Sequence, residues 1–129
     1  MKYRYKIYPE HRMILESLSG EVTIQGILQK TRTLLEDPAY SKDFVGITDT
    51  RTGIARLTKV ELYGFSDMLK QTKQEGTAPW AIIATDPILV ALGQIYADRL
   101  ATPSMIVVST VEAAAKFIDR PMALDYFKD

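Results

Sequence analysis

Three short groups of residues in this chain have the types and spacing to do chemistry, and each follows an apolar run. Asp49-Thr50-Arg51-Thr52 follows the run that starts at Phe44, Thr85-Asp86 follows Trp80 to Ala84, and Ser109-Thr110 follows Met105 to Val108. Together they offer carboxylates, hydroxyls and one guanidinium, a set suited to gripping or polarising an anionic ligand. The same residues have a structural use, because aspartate, serine and threonine at such points tie down loops or cap helices through backbone N–H groups. Asp86-Pro87 reads as a cap followed by proline at the first helical position. Thr58 with Glu61, and Ser109 with Glu112, read as capping boxes.

Absences narrow the chemistry further. There is no cysteine, which excludes disulfides, thiolate nucleophiles and cysteine-based zinc or iron–sulfur sites. A single histidine excludes a two-histidine metal site. That residue, His11, falls in a turn at the end of the molecule opposite the strand termini, out of reach of their hydroxyls. Gly46, Gly53 and Gly64 match neither nucleotide-binding pattern. The expectation is a chain with no catalytic residue, no metal and no cofactor, whose business is binding.

Sixteen basic residues balance sixteen acidic ones, so no global field draws the chain to nucleic acid or to an anionic membrane. The longest apolar stretches fall far short of the ~18 residues of a membrane span, and no signal peptide precedes the first strand. A cytoplasmic protein is expected, and 129 residues suit one domain over 1–129.

The elements that must position these groups are legible from period and punctuation. Lys2 to Tyr8 alternates, with Tyr3, Tyr5 and Ile7 on one face and basic residues on the other, which predicts an edge strand. Pro9 to Arg12 is a turn and Met13 to Leu18 a second strand, so the pair should form an antiparallel hairpin. Gly20 and Thr23 open a helix. From there helix and strand alternate: a strand at Phe44–Asp49, a helix from Thr58, a strand at Trp80–Thr85, a helix from Pro87, a strand at Met105–Ser109, and a helix from Val111. Such links force parallel pairing. The fold class is therefore α/β, a five-stranded mixed sheet with an N-terminal antiparallel hairpin and about four covering helices. Its predicted core includes Ile14, Ile27, Leu34, Val45, Ile47, Val60, Ile82, Ile83, Leu92, Ile106 and Val108. Gly46 marks a strand position where something packs closely, and Gly64 within a helix costs about 1 kcal/mol unless packing needs the space. The connection Thr50 to Leu57 is longer than usual between strand and helix, and it carries the apolar Ile54 and Leu57.

This succession, together with Gly20-Glu21-Val22-Thr23 before the first helix, Asp49-Thr50-Arg51 at the third strand's end and a helix beginning at Thr58, resembles the SpoIIAA-like superfamily. That group includes the STAS domains and is similar in fold to lipid-binding Sec14 or CRAL-TRIO domains. Within it, the chain looks most like the short, stand-alone bacterial branch. The resemblance extends to about Ile118. It implies a non-catalytic binding or regulatory module. In the anti-sigma-factor antagonists a serine before a glycine is phosphorylated at the end of the third strand. Thr52-Gly53 stands at that place here, although Arg51 intervenes and the helix starts several residues later, so Thr52 is the phosphorylation candidate this resemblance implies.

The candidate ligand- or partner-binding residues are Asp49, Arg51, Thr52, Ile54, Leu57 and Asp86, all expected where ligands bind in open α/β sheets, at the carboxyl ends of the strands. The partner is a protein, or a second copy in a homodimer that would bury the apolar loop with Tyr126 and Phe127. The alternative is a small apolar ligand, as in Sec14-like carriers. A carrier should hold a closed apolar cavity of at least ~300 Å³ between loop, helices and sheet.

Overall fold

Strict alternation at the amino terminus produces an edge strand. β1 (Lys2–Tyr8) leaves Lys2, Arg4 and Lys6 exposed and pairs antiparallel with β2 (Met13–Val22), placing Tyr5 opposite Glu16. One turn of 3-10 helix at Pro9–His11 joins them, closed by Arg12 in the left-handed conformation, φ 51°. The computed structural model describes residues 1–74, 76–100 and 104–127.

Beyond the hairpin come α1 (Ile24–Glu36), β3 (Val45–Asp49), β4 (Gly53–Ala55), α2 (Lys59–Gln71), β5 (Trp80–Ile83), α3 (Pro87–Leu100), β6 (Met105–Val108), α4 (Val111–Phe117) and α5 (Ala123–Tyr126). The sheet runs β1-β2-β3-β5-β6, every pair after the first parallel, with β4 also laid parallel against β2. This is the mixed α/β architecture that the sequence predicts.

The helix starts show why the chain folds this way locally. Thr23, Thr58 and Thr110 each accept the backbone N–H three residues on, and at Thr58 the Glu61 carboxylate returns the bond to complete a capping box. Asp86 Oδ2 accepts from the N–H groups of Ile88 and Leu89, both at 3.1 Å. At α4 the cap is Thr110 rather than Ser109, which places Glu112 in the first turn, where its charge favours the helix dipole.

The overlong connection after β3 is a strand in disguise. β4 pairs with the end of β2, Gly20 opposite Gly53 and Val22 opposite Ala55. β2 therefore runs on to Val22, with Gly20 inside it at φ +73°, rather than ending before Gly20.

Two layers of helix cover the sheet. Met13, Leu15, Val45, Ile47, Ala81 and Ile83 pack against α4 and α5 through Ala114, Ala115, Ile118 and Ala123. The opposite face lies under α1, α2 and α3: Ile24 of α1 and Leu62, Phe65 and Leu69 of α2 form a second cluster, against which Leu92, Ile95 and Tyr96 of α3 pack. Of the predicted core, Ile14, Leu34, Val45, Ile47 and Ile83 are buried, while Ile27, Ile82, Leu92 and Val108 are partly so. Two positions differ. Val60 sits in the first turn of α2 on its outer side and is 69 % exposed, and Ile106 lies on the edge strand β6 and is 37 % exposed. Gly64 has open space around it, so no close approach explains it.

Candidate ligand-binding site

A mostly apolar cavity lies on the α1–α3 side of the sheet, and Glu16 is among the polar residues that line it. In β2 the alternation puts Glu16 on the same face as Ile14 and Leu18, under the helices, where it is 1 % exposed. A buried carboxylate must be paired and hydrogen-bonded. Three donors meet that need: Tyr3 Oη on Oε1 at 2.8 Å, Lys30 Nζ on Oε2 at 2.9 Å, and Thr48 Oγ1 on Oε2 at 2.5 Å. Thr48 is itself held by the indole Nε1 of Trp80 at 2.8 Å. The chain Trp80–Thr48–Glu16–Lys30 thus joins β5, β3, β2 and α1.

The tyrosines around this carboxylate feel it. Tyr3 is pushed far above its ordinary value by burial first, then by the charge of Glu16 and the hydrogen bond to it. Tyr40 is raised by burial and then by Glu16 and Asp43. Both stay neutral O–H groups throughout the physiological range. Tyr3 stacks on Tyr5, ring centroids 5.3 Å apart, and Tyr5 Oη donates to Asp37 Oδ2 at 2.7 Å, so β1 is fastened to the far end of α1.

Next to this network is a cavity of about 200 Å³. Its floor includes Leu18, Thr48, Trp80 and Ile82, and its roof includes Ile27 from α1, Phe65 from α2 and Leu92 from α3. The lining is mostly apolar. Exposed residues of the lining, Lys42, Gln74 and Gly76, sit before β3 and β5, so the cavity meets solvent at the amino ends of the strands. Thr31 is among the lining residues, and its Oγ1, closed off from water-sized space, has no hydrogen-bond partner among the described residues. The volume is below the ~300 Å³ expected of a carrier of a small apolar ligand or lipid, and the cavity is open to solvent rather than closed.

Among the residues singled out from sequence, Leu57 lines this cavity and Asp49, Arg51, Thr52, Ile54 and Asp86 do not. Asp49 and Arg51 find each other: Oδ1 accepts from Arg51 N and Nε at 3.0 Å each, and Oδ2 accepts from Nη2 at 2.8 Å. Thr52 is exposed in the turn before β4, and its carbonyl accepts from Gly20 N at 3.2 Å. Arg56, the other cation of this loop, pairs with Glu21 at 3.5 Å. Ile54 is 52 % exposed, and Asp86 caps α3. Thr50 is buried and gives both its N–H and its hydroxyl to the Ile83 carbonyl, each at 2.8 Å.

At the other end, His11 Nε2 lies 3.2 Å from Tyr126 Oη, and Tyr126 stacks on Tyr8 with centroids 4.5 Å apart. Phe127 packs on the main core cluster, so the tail docks onto the hairpin. Among the described residues no helix is long and apolar enough to cross a membrane, and no three His, Asp or Glu side chains gather to hold a metal ion.

Sequence reasoning passed over Glu16, Lys30 and Trp80 as a group. The available signal was a charged residue on the apolar face of β2, matched by a lysine inside the apolar stripe of α1, between Ile27 and Leu34.

No family model, curated protein or solved structure matches this chain.

Proposed function

We propose that this chain is a binding module of the SpoIIAA-like kind, and that what it binds is a small, largely apolar molecule held between the sheet and α1–α3. One observation carries the reading: an apolar cavity of about 200 Å³ that ends against a fully hydrogen-bonded buried carboxylate. Ligand sites are built this way, with apolar walls for affinity and a few placed polar groups for orientation. An apolar cavity of about 150 Å³ takes a benzene, so the ligand is far smaller than a phospholipid.

Native mass spectrometry of the protein purified without added lipid tests this. The expected spectrum contains a species heavier by one small organic molecule, which denaturation removes. An unliganded mass alone, with no response of the Trp80 fluorescence to a panel of small apolar compounds, would overturn it.

A protein partner is the second reading, favoured by Ile54, Val60 and Ile88. They are 52, 69 and 61 % exposed, and all lie beyond the carboxyl ends of β3 and β5. If that surface is the functional one, Val60→Ser with Ile88→Ser abolishes capture of the partner and leaves the cavity's ligand in place.

A further inference from the structure

One ring in the lining of the cavity is fixed in orientation before any ligand arrives. β5 carries Trp80 opposite Gly46, on the face of the sheet under α1–α3. The indole Nε1 donates to Thr48 Oγ1 at 2.8 Å. A Cβ built on Gly46 would collide with Cε3, Cζ3 and Cη2 of the indole at nearly equal reach, as only contact with a ring face allows. Strand backbone therefore lies under one face of the indole. Trp80 lines the cavity and Gly46 beneath it does not, so the other face is the one left to the cavity. A ring held this way gives up little freedom when something stacks on it.

The opposite wall is aromatic too. Phe65 of α2 and Tyr96 of α3 line it, with ring centroids 6.0 Å apart and planes inclined by 27°. Aromatic rings attract one another beyond what buried area gives, through their quadrupoles. A saturated ring of the same skeleton buries similar apolar surface without that gain.

Buried charge in the lining is already balanced. Glu16 accepts from Lys30, Tyr3 and Thr48, and the other ammonium group of the lining, Lys42, is exposed at the mouth. A charged ligand would go in without a counter-ion of its own, which burial penalises.

We infer that the ligand is a small uncharged aromatic molecule, a single ring or a fused pair, stacked on the free face of Trp80 beneath Phe65 and Tyr96. This rests on the cavity being a binding site, and it adds the chemical class of what is bound.

Isothermal titration of the full chain with matched pairs tests the class: p-cresol against 4-methylcyclohexanol, and 2-naphthol against decahydro-2-naphthol. Each pair shares a skeleton and a hydroxyl and differs in unsaturation. The aromatic member should bind about fivefold tighter, and N-methylquinolinium, a cation of similar size to 2-naphthol, should bind weakest. In proton NMR the ring signals of bound p-cresol should move upfield, as protons held over an aromatic face do. Trp80→Leu should bring the ratio within each pair close to one and abolish that shift. Phe65→Leu, which leaves the indole and its bond to Thr48 in place, should lower the ratio about twofold and keep the shift. If the saturated members bind as tightly, if the ring signals do not move upfield, or if neither variant changes the ratio, the aromatic class is wrong while the cavity remains a binding site. Tightest binding by N-methylquinolinium overturns the uncharged ligand. If none of the five compounds binds, the cavity reading itself fails.

Discussion

Trp80 lies flat against Gly46 on the neighbouring strand, so close that a Cβ at Gly46 would run into its six-membered ring. The glycine therefore sets where the indole sits, and the indole in turn holds Thr48 against Glu16. Gly46→Ala should displace Trp80 and open the floor of the cavity, with a loss of about 2 kcal/mol of stability from overpacking. Trp80 is the only tryptophan. A red-shifted emission together with a lower urea midpoint would check this directly, and unchanged emission would contradict it.

The Glu16–Lys30 pair is the next test of the network. Lys30 is 16 % exposed at its side chain and Glu16 1 %, so removing either partner strands the other in a place with little water. Glu16→Gln and Lys30→Met should each cost about 2–3 kcal/mol, while the double variant costs less than the sum by about 1–2 kcal/mol. Urea denaturation of the four proteins measures the coupling. Additive losses would show that the two groups do not act as a pair.

Much of the fold could be read from punctuation because it rests on local chemistry. Thr23, Thr58 and Asp86 cap their helices through bonds that span two or three residues, and the hairpin follows from the alternation of Lys2 to Tyr8. β4 escaped because three residues, Gly53, Ile54 and Ala55, cannot show a period, and their pairing with Gly20 to Val22 is long-range. Val60 and Ile106 were misplaced for a related reason. An apolar residue at the first turn of a helix or on an edge strand has no covering neighbour, and only the assembled layers reveal that. The buried ion pair was harder still. Glu16 and Lys30 are ordinary residues of a strand and a helix until the sheet and α1 bring them within 2.9 Å.

Alkaline pH should act through Tyr3. Its folded value is raised, first by burial and then by Glu16, so the unfolded chain gives up this proton before the folded chain does. The stability it contributes is fully present below its ordinary value of 10.0 and is lost as pH rises beyond it. The melting temperature should therefore fall between about pH 9 and pH 11, and less steeply in Tyr3→Phe. Asp37 acts at the other limb. The Ala39 N–H, and then the Tyr5 hydroxyl, hold its carboxyl below the usual range, so its contribution is present above the unfolded value and disappears as pH falls through the folded one. Asp37→Asn should flatten the acid side of the same profile.

The Asp49–Arg51 pair decides between a ligand grip and a loop tie. Both oxygens of Asp49 are engaged by Arg51, and the side chains are 14 % and 32 % exposed. Neither residue touches the cavity. A pair this close in sequence and this accessible is worth little, so Arg51→Ala should cost less than about 1 kcal/mol. It should loosen the turn through Thr52 that delivers Gly53 to β4, which amide exchange at Gly20 and Gly53 would register. The affinity for a cavity ligand should stay within about twofold of the parent, since no wall of the cavity moves. A large loss of ligand affinity in Arg51→Ala, with the fold intact, would instead return the binding site to the carboxyl ends of the strands.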